Sequence, residues 1–141
     1  MKNLEIKIIT AEHILDALPL LKELNEFTDS EILKDRLISM SKQHYECLGV
    51  YFKQDLIGIC GLWHLTRHYC GKTLEPDHVI ISKPYRSKGI GKILFEWIYN
   101  YAQSIGYESI ELNTYISNLK SHAFYENEGF EKLGFHYLKK I

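Results

Sequence analysis

No stretch of this chain approaches the roughly 20 consecutive apolar residues that a bilayer-spanning helix needs. The start, Met1-Lys2-Asn3-Leu4-Glu5, lacks the apolar core of a secretory leader. These absences set the expectation of a cytoplasmic protein without a membrane partner. Neither sign of charge is in excess: 17 Lys and Arg stand against 18 Asp and Glu, a net charge of −1. With no global positive field, nucleic acid is not an expected partner. Cysteine is scarce. Cys47, Cys60 and Cys70 are odd in number and lack CxxC spacing, which argues against a disulfide framework. Linkers, repeats and low-complexity segments are also missing, so residues 1–141 read as a single domain.

What is present is an ordinary globular composition, 45% apolar and 25% charged. Glu5 to Ile9 alternates like a strand and ends at Thr10, a suitable N-cap. Ile14, Leu15, Leu18, Leu21 and Leu24 then recur at helical spacing. Thr28-Asp29-Ser30 restarts a helix with Ile32, Leu33, Leu37 and Met40 on its apolar face. Cys47 to Phe52 and Leu56 to Thr66 read as strands joined by Lys53-Gln54-Asp55. Thr73 to Ser82 is a further strand, in which Pro76 predicts an irregular start or a bulge. Ile93, Leu94, Trp97, Ile98, Tyr101 and Ala102 form a helical stripe closed by Gly106. Ser109 to Asn113 is a strand, Asn118 to Glu128 a short helix ending at Gly129, and Phe130 to Lys139 a final strand. The order βααβββαβαβ predicts an α/β chain: a mixed sheet, antiparallel at first, with helices on both faces.

Between Val79-Ile80-Ile81 and the helical run from Lys92 lies Tyr85-Arg86-Ser87-Lys88-Gly89-Ile90-Gly91. A strand, a basic glycine turn and a helix start make a phosphate cradle. Glycine lets backbone approach an anion, and the first helical N–H groups have no internal partner. Arg86, Lys88 and Lys92 add positive charge to the helix dipole there. The turn lacks the GxxxxGK[ST] of a P-loop and the first glycine of GxGxxG, so a nucleotide-binding enzyme is a poor third reading.

Arg86-Ser87-Lys88-Gly89-Ile90-Gly91 resembles the Gln/Arg-x-x-Gly-x-Gly/Ala signature of the GNAT family of N-acetyltransferases. Asp77 to Tyr85 resembles that family's central strand and the turn leaving it. Ala123-Phe124-Tyr125-Glu126-Asn127-Glu128-Gly129-Phe130 resembles its second signature, about 35 residues downstream. The resemblance covers essentially the whole chain and implies the GNAT fold, with acetyl-CoA as cosubstrate and no metal. It implies that the turn amides of Ser87, Lys88, Gly89, Ile90 and Gly91, with Lys92, hold a diphosphate. Backbone groups of Val79, Ile80 and Ile81 would pair with the pantetheine arm as though it were a strand. An amide at this strand's bulge, of Val79 or Ile80, would stabilise the developing oxyanion. Asn118 matches a cofactor-contacting position.

The implied reaction is attack of a neutral amine on a thioester. An alkylamine has a pKa near 10, so roughly one molecule in a thousand is competent at neutral pH. Tyr125 matches the tyrosine that protonates the departing thiolate. Asp77 or Glu75, acting through water, are the candidate bases; either one reads equally as a solvated strand end beside Pro76. Strand alternation places His78 on the opposite face from Asp77. His64 and His68 are candidates for lining the acceptor site, though surface or core roles suit them better. With Cys70 and His78 they make a loose set of ligand-type residues, too scattered to predict a metal.

Glu23, Glu26, Asp29 and Glu31 form an acidic run that suits a cationic acceptor such as a polyamine, an aminoglycoside or a lysine-like amine. It equally suits a solvated helix surface. The short chain favours a small molecule or a peptide amine as acceptor, and edge strands offer a route to a homodimer. The main alternative to an enzyme is a non-catalytic acyl-CoA sensor of the same fold.

Overall fold

The computed structural model describes residues 2–141. They divide into two compact units, one reaching to Glu111 and the other spanning Leu112–Ile141. In the first unit, β1 (Leu4–Ile9) leads to a 3-10 helix (Ala11–Ala17), α1 (Leu18–Leu24) and α2 (Ser30–Ser41). Then come β2 (Tyr45–Phe52), β3 (Asp55–Arg67) and β4 (Gly71–Ile81), a short 3-10 turn at Lys83–Tyr85, α3 (Ile90–Ser104) and β5 (Ser109–Ile110).

The first helical segment departs from expectation. Thr10 makes no side-chain cap; only its carbonyl accepts from His13 N–H, at 2.9 Å. The α-helix begins afresh at Leu18 because Pro19 is tolerated only in a first turn, where its missing N–H has no helical partner. The second helix follows the sequence reading at Leu33 and Leu37, which are buried, but Ile32, expected on the same apolar face, is exposed. Asp29 is its N-cap, accepting from Glu31 N–H (2.9 Å) and Ile32 N–H (3.4 Å). In α3 the buried row is Ile90, Leu94, Phe95, Ile98 and Ala102, whereas Ile93 is 36% exposed. Gly106, at φ 73°, ends that helix as expected, with Tyr107 N–H bonded to Ala102 O.

The sheet order is β1-β2-β3-β4-β5, antiparallel except for the parallel β4–β5 pair. Helices cover both faces, as the element order predicted. On one face Ile14, Ala17, Leu21, Leu33 and Leu37 pack on Tyr45, Cys47, Ile59 and Ile80. On the other, Ile90, Leu94, Ile98 and Ala102 of α3 pack on Leu48, Val50, Cys60, Leu62 and Leu74.

Two irregularities shape the sheet where β4 runs toward the glycine turn. Opposite Val50 and Tyr51, β3 carries one extra residue between Leu56 and Gly58. Opposite Ile59 and Gly61, β4 carries its own: Ile80 pairs with Ile59 and Asp77 with Gly61. The bulge in β4 is therefore at His78, with φ 35°, while Pro76 sits in regular register with Leu62.

Pro76 acts elsewhere. Leu74 O faces β5, accepting from Glu111 N–H at 3.1 Å. Two residues on, position 76 points the same way, and proline has no N–H to give the next rung. The parallel ladder is accordingly Thr73↔Ser109 and Leu74↔Ile110, and the strand expected over Ser109 to Asn113 shortens to Ser109–Ile110. The end of β5 is tied instead through side chains: Glu111 accepts from Arg67 Nε (2.7 Å) and Tyr69 OH (2.5 Å).

The second unit contains α4 (Leu119–Asn127), capped by Asn118, whose side chain accepts from Ser121 N–H at 3.2 Å. Gly129 follows at φ 94°. The strand expected over Phe130 to Lys139 is not formed. Leu133, Phe135 and Tyr137 alternate, but a strand exists only through a ladder, and these side chains are exposed in an irregular segment.

Candidate active site

The cradle is built from left-handed backbone. Arg86 leaves the 3-10 turn extended, Ser87 takes φ 60°, and Gly89, at φ 78°, is the N-cap of α3. A residue with a Cβ disfavours this region, which is why glycine stands at 89. A Cβ built at Gly89 meets nothing within 4 Å, so the turn's outer side is open to an approaching group. Ile90 is buried in the core beneath α3 and fastens the helix start, leaving its amide as the group it can offer a ligand. Ser87, Lys88 and Lys92 are exposed, and Lys88 Nζ lies 5.6 Å from the centroid of Tyr85. Open approach, orphan amides and three basic side chains fit a diphosphate.

Arg86 also reaches backward. Its Nε donates to Ile81 O at 2.7 Å, and its Nη2 lies 3.8 Å from Glu23 Oε2. Glu23, Leu24, Val79, Ile80, Ile81 and Arg86 line a cleft of about 160 Å³. A larger hollow of about 470 Å³ lies among Asn3, Glu5, Tyr51 and Lys53, at the β1–β2 edge. It is the more open of the two and holds none of the predicted site residues; the smaller cleft joins the expected cofactor strand to the cradle.

The bulge overturns one expectation. Asp77 and His78 share a face, because the extra residue cancels strand alternation. Asp77 Oδ2 accepts from Trp63 Nε1 (3.0 Å) and Oδ1 from the His78 backbone N–H (2.8 Å). His78 Nε2 lies 2.6 Å from Tyr45 OH, and the Tyr45 ring is 4.9 Å from that of Trp63. Gly61 makes room: a Cβ there would collide with His78 Nε2. Burial pushes the Tyr45 hydroxyl above its ordinary range, with Cys47 adding to the effect. Burial also lowers His78 against the opposing pull of Asp77, so the pair is neutral. His78 Nδ1 is buried without a hydrogen-bond partner. Sequence reasoning missed Tyr45 and Trp63, whose aromatic character gave no sign of their partners across the sheet. Glu75 pairs in register with Trp63, on the same face as Asp77.

His64 is engaged on the opposite face. Its Nδ1 is 2.7 Å from Tyr107 OH and its Nε2 2.5 Å from Glu46 Oε1, which also accepts from Tyr101 OH at 2.6 Å. This network ties the sheet to the end of α3, which is the core role rather than the acceptor-lining one. His68 is exposed near the β3–β4 hairpin, its ring 5.4 Å from Tyr69. Cys70 follows two residues later, and no group of three metal-ligating side chains forms among the described residues. In the second unit, Tyr125 lies on α4 with its ring 5.4 Å from Phe124 and 5.7 Å from Phe130.

A basic left-handed turn linking a bulged strand to a helix, in this sheet order, defines a coenzyme A-type acyltransferase architecture. The model of the Acetyltransferase (GNAT) family matches residues 12–130, and the chain belongs to that family. It is 25% identical to the uncharacterized N-acetyltransferase YhdJ of Bacillus subtilis, over 92% of this chain and 89% of that protein. Among solved structures, the ribosomal-protein-alanine N-acetyltransferase of Brucella melitensis superposes with a TM-score of 0.82 at 18% identity, covering 98% and 99% of the two chains. An aminoglycoside acetyltransferase from an uncultured soil sample, solved with sisomicin, gives 0.81 at 14% identity, covering 99% and 97%. These two likenesses concern the fold alone. Family membership carries acetyl transfer as the general class of activity, with acetyl-CoA as the implied cosubstrate.

Proposed function

We propose that this protein transfers an acetyl group from acetyl-CoA to a primary amine of a small molecule or peptide, by direct attack within a ternary complex. The observation that carries this reading is the turn from Arg86 to Gly91, with left-handed Ser87 and Gly89 leading into the start of α3, where helical amides have no internal partner. The amides of Ser87 to Gly91, with Arg86, Lys88 and Lys92, would hold the diphosphate. Val79, Ile80 and Ile81, which line the adjoining cleft, would offer backbone groups to the pantetheine arm.

In the reaction the amine nitrogen forms the new C–N bond while the thioester C–S bond breaks. The amine loses one proton and the thiolate gains one. Tyr125 is assigned the second transfer, as acid toward the sulfur; Asn118 is assigned to the same ligand. Asp77 or Glu75 takes the first through water. Both oxygens of Asp77 already accept one hydrogen bond, which orients the carboxylate while leaving its exposed side for water.

Free-thiol release across a panel of amines tests the proposal. Turnover above thioester hydrolysis with at least one amine is the expected result. Coenzyme A binding with no such turnover would favour the sensor reading.

A further inference from the structure

Of the four acids in the run from Glu23 to Glu31, the structure brings only Glu23 to the cleft. Asp29 is committed to capping α2, and Glu31 lies in that helix's first turn. At Glu26 it is the backbone carbonyl that is used: Lys22 Nζ donates to it at 3.1 Å and to Thr28 O, closing the α1–α2 connection. Glu23 faces Val79, Ile80 and Ile81 across the cleft, with Arg86 as its counter-ion at 3.8 Å.

We propose that Glu23 is the acceptor-recognising carboxylate, that it binds a cationic group other than the reacting nitrogen, and that Arg86 releases it when the diphosphate binds. This rests on the acetyltransferase reading above. A carboxylate beside an amine favours its ammonium form, which lacks the lone pair that attack requires. Glu23 therefore suits a second positive charge on the acceptor, and the substrate class is a diamine or polyamine-like molecule. The ion pair with Arg86 is loose, with side chains 50% and 44% exposed, and pairs of that kind are weak. A diphosphate at the cradle offers the guanidinium shorter, charge-assisted, two-pronged bonds. Drawing Arg86 toward it uncovers Glu23 and loosens the hold of Arg86 on Ile81 O, a backbone acceptor on the cofactor strand. Cofactor loading and cationic-acceptor binding are thus coupled, and reciprocally so.

The test compares 1,4-diaminobutane with n-butylamine. In thiol-release assays the wild type prefers the diamine in kcat/KM, and Glu23→Gln lowers that preference about fivefold, the worth of one exposed ion pair. Glu26→Gln leaves the preference unchanged. Calorimetry shows coenzyme A tightening 1,4-diaminobutane binding to the wild type and not to Glu23→Gln. An unaltered preference in Glu23→Gln, or no preference in the wild type, overturns the inference. Where the wild type acetylates no amine, the acetyltransferase reading fails, and calorimetry alone decides: diamine binding that needs both Glu23 and coenzyme A upholds the site, and its absence overturns it.

Discussion

Gly89 holds a backbone conformation that costs any residue with a Cβ about 1–2 kcal/mol. Because a Cβ there meets nothing within 4 Å, Gly89→Ala loses stability through conformation rather than collision. Thermal unfolding should register about 1 kcal/mol, and coenzyme A should bind more weakly as the turn relaxes. An unchanged dissociation constant would remove Gly89 from the cradle. Tyr125→Phe deletes only a hydroxyl; if it is the acid, kcat falls about a hundredfold with coenzyme A affinity intact. Parallel loss of both would mark a packing role. His78 gives a pH prediction. Its folded value lies below the ordinary 6.5, through burial against the opposing charge of Asp77. The unfolded chain therefore binds the proton more readily, and stability falls as pH drops through about 6.5. His78→Gln should flatten the fall in urea midpoint between about pH 7 and 5. Gly89 was legible in the sequence because a positive φ recruits glycine. The Tyr45–His78 contact was not, since 33 residues separate its members and no local pattern marks the bulge.

At the scale of elements, Pro76 is the informative residue. The sequence showed a proline in a strand and suggested a local defect. The structure keeps β4 regular at that position and moves the effect to its neighbour, where the parallel ladder loses its next rung. Pro76→Val returns an N–H to that edge. The expected outcome is slowed hydrogen exchange at the new amide and weaker coenzyme A binding, as added β4–β5 pairing competes with the pantetheine arm. Fast exchange at position 76 with unaltered affinity would show that the proline does not set the gap. The strand expected over Phe130 to Lys139 illustrates the opposite difficulty. Alternation in Leu133, Phe135 and Tyr137 is a necessary sign of a strand, but pairing makes one, and pairing partners are not written in a segment's own pattern. Helix α2 was legible in its cap, Asp29, and its buried residues, Leu33 and Leu37, because these signals are local; the exposure of Ile32 was not, since it depends on what packs against the helix.

For the whole molecule, the family and the mixed character of the sheet were readable because two motifs and the element sequence agreed with one another. The acceptor was not, because the proposed recognition depends on which of several surface carboxylates meets the β4 end, a matter of tertiary placement. Ligand linkage gives a global test: coenzyme A at a hundred times its dissociation constant should stabilise the fold by about 2.7 kcal/mol, seen as a rise in Tm. Dialysis against a chelator should leave turnover unaltered, since the proposed acetyl transfer calls on backbone amides and side-chain acids rather than a metal.

A strand counts by twos, and His78 makes the count odd. Residues before it and after it are read in different frames: Leu74 and Val79 meet the α3 side, Tyr45's partner His78 and then Ile80 the other. Deleting His78 would act on the sheet as a frameshift acts on a message. Either the proposed cofactor strand Val79-Ile80-Ile81 or the segment carrying Glu75 and Asp77 would have to exchange its inner and outer residues. Substitution at this position is a local matter; its length is not.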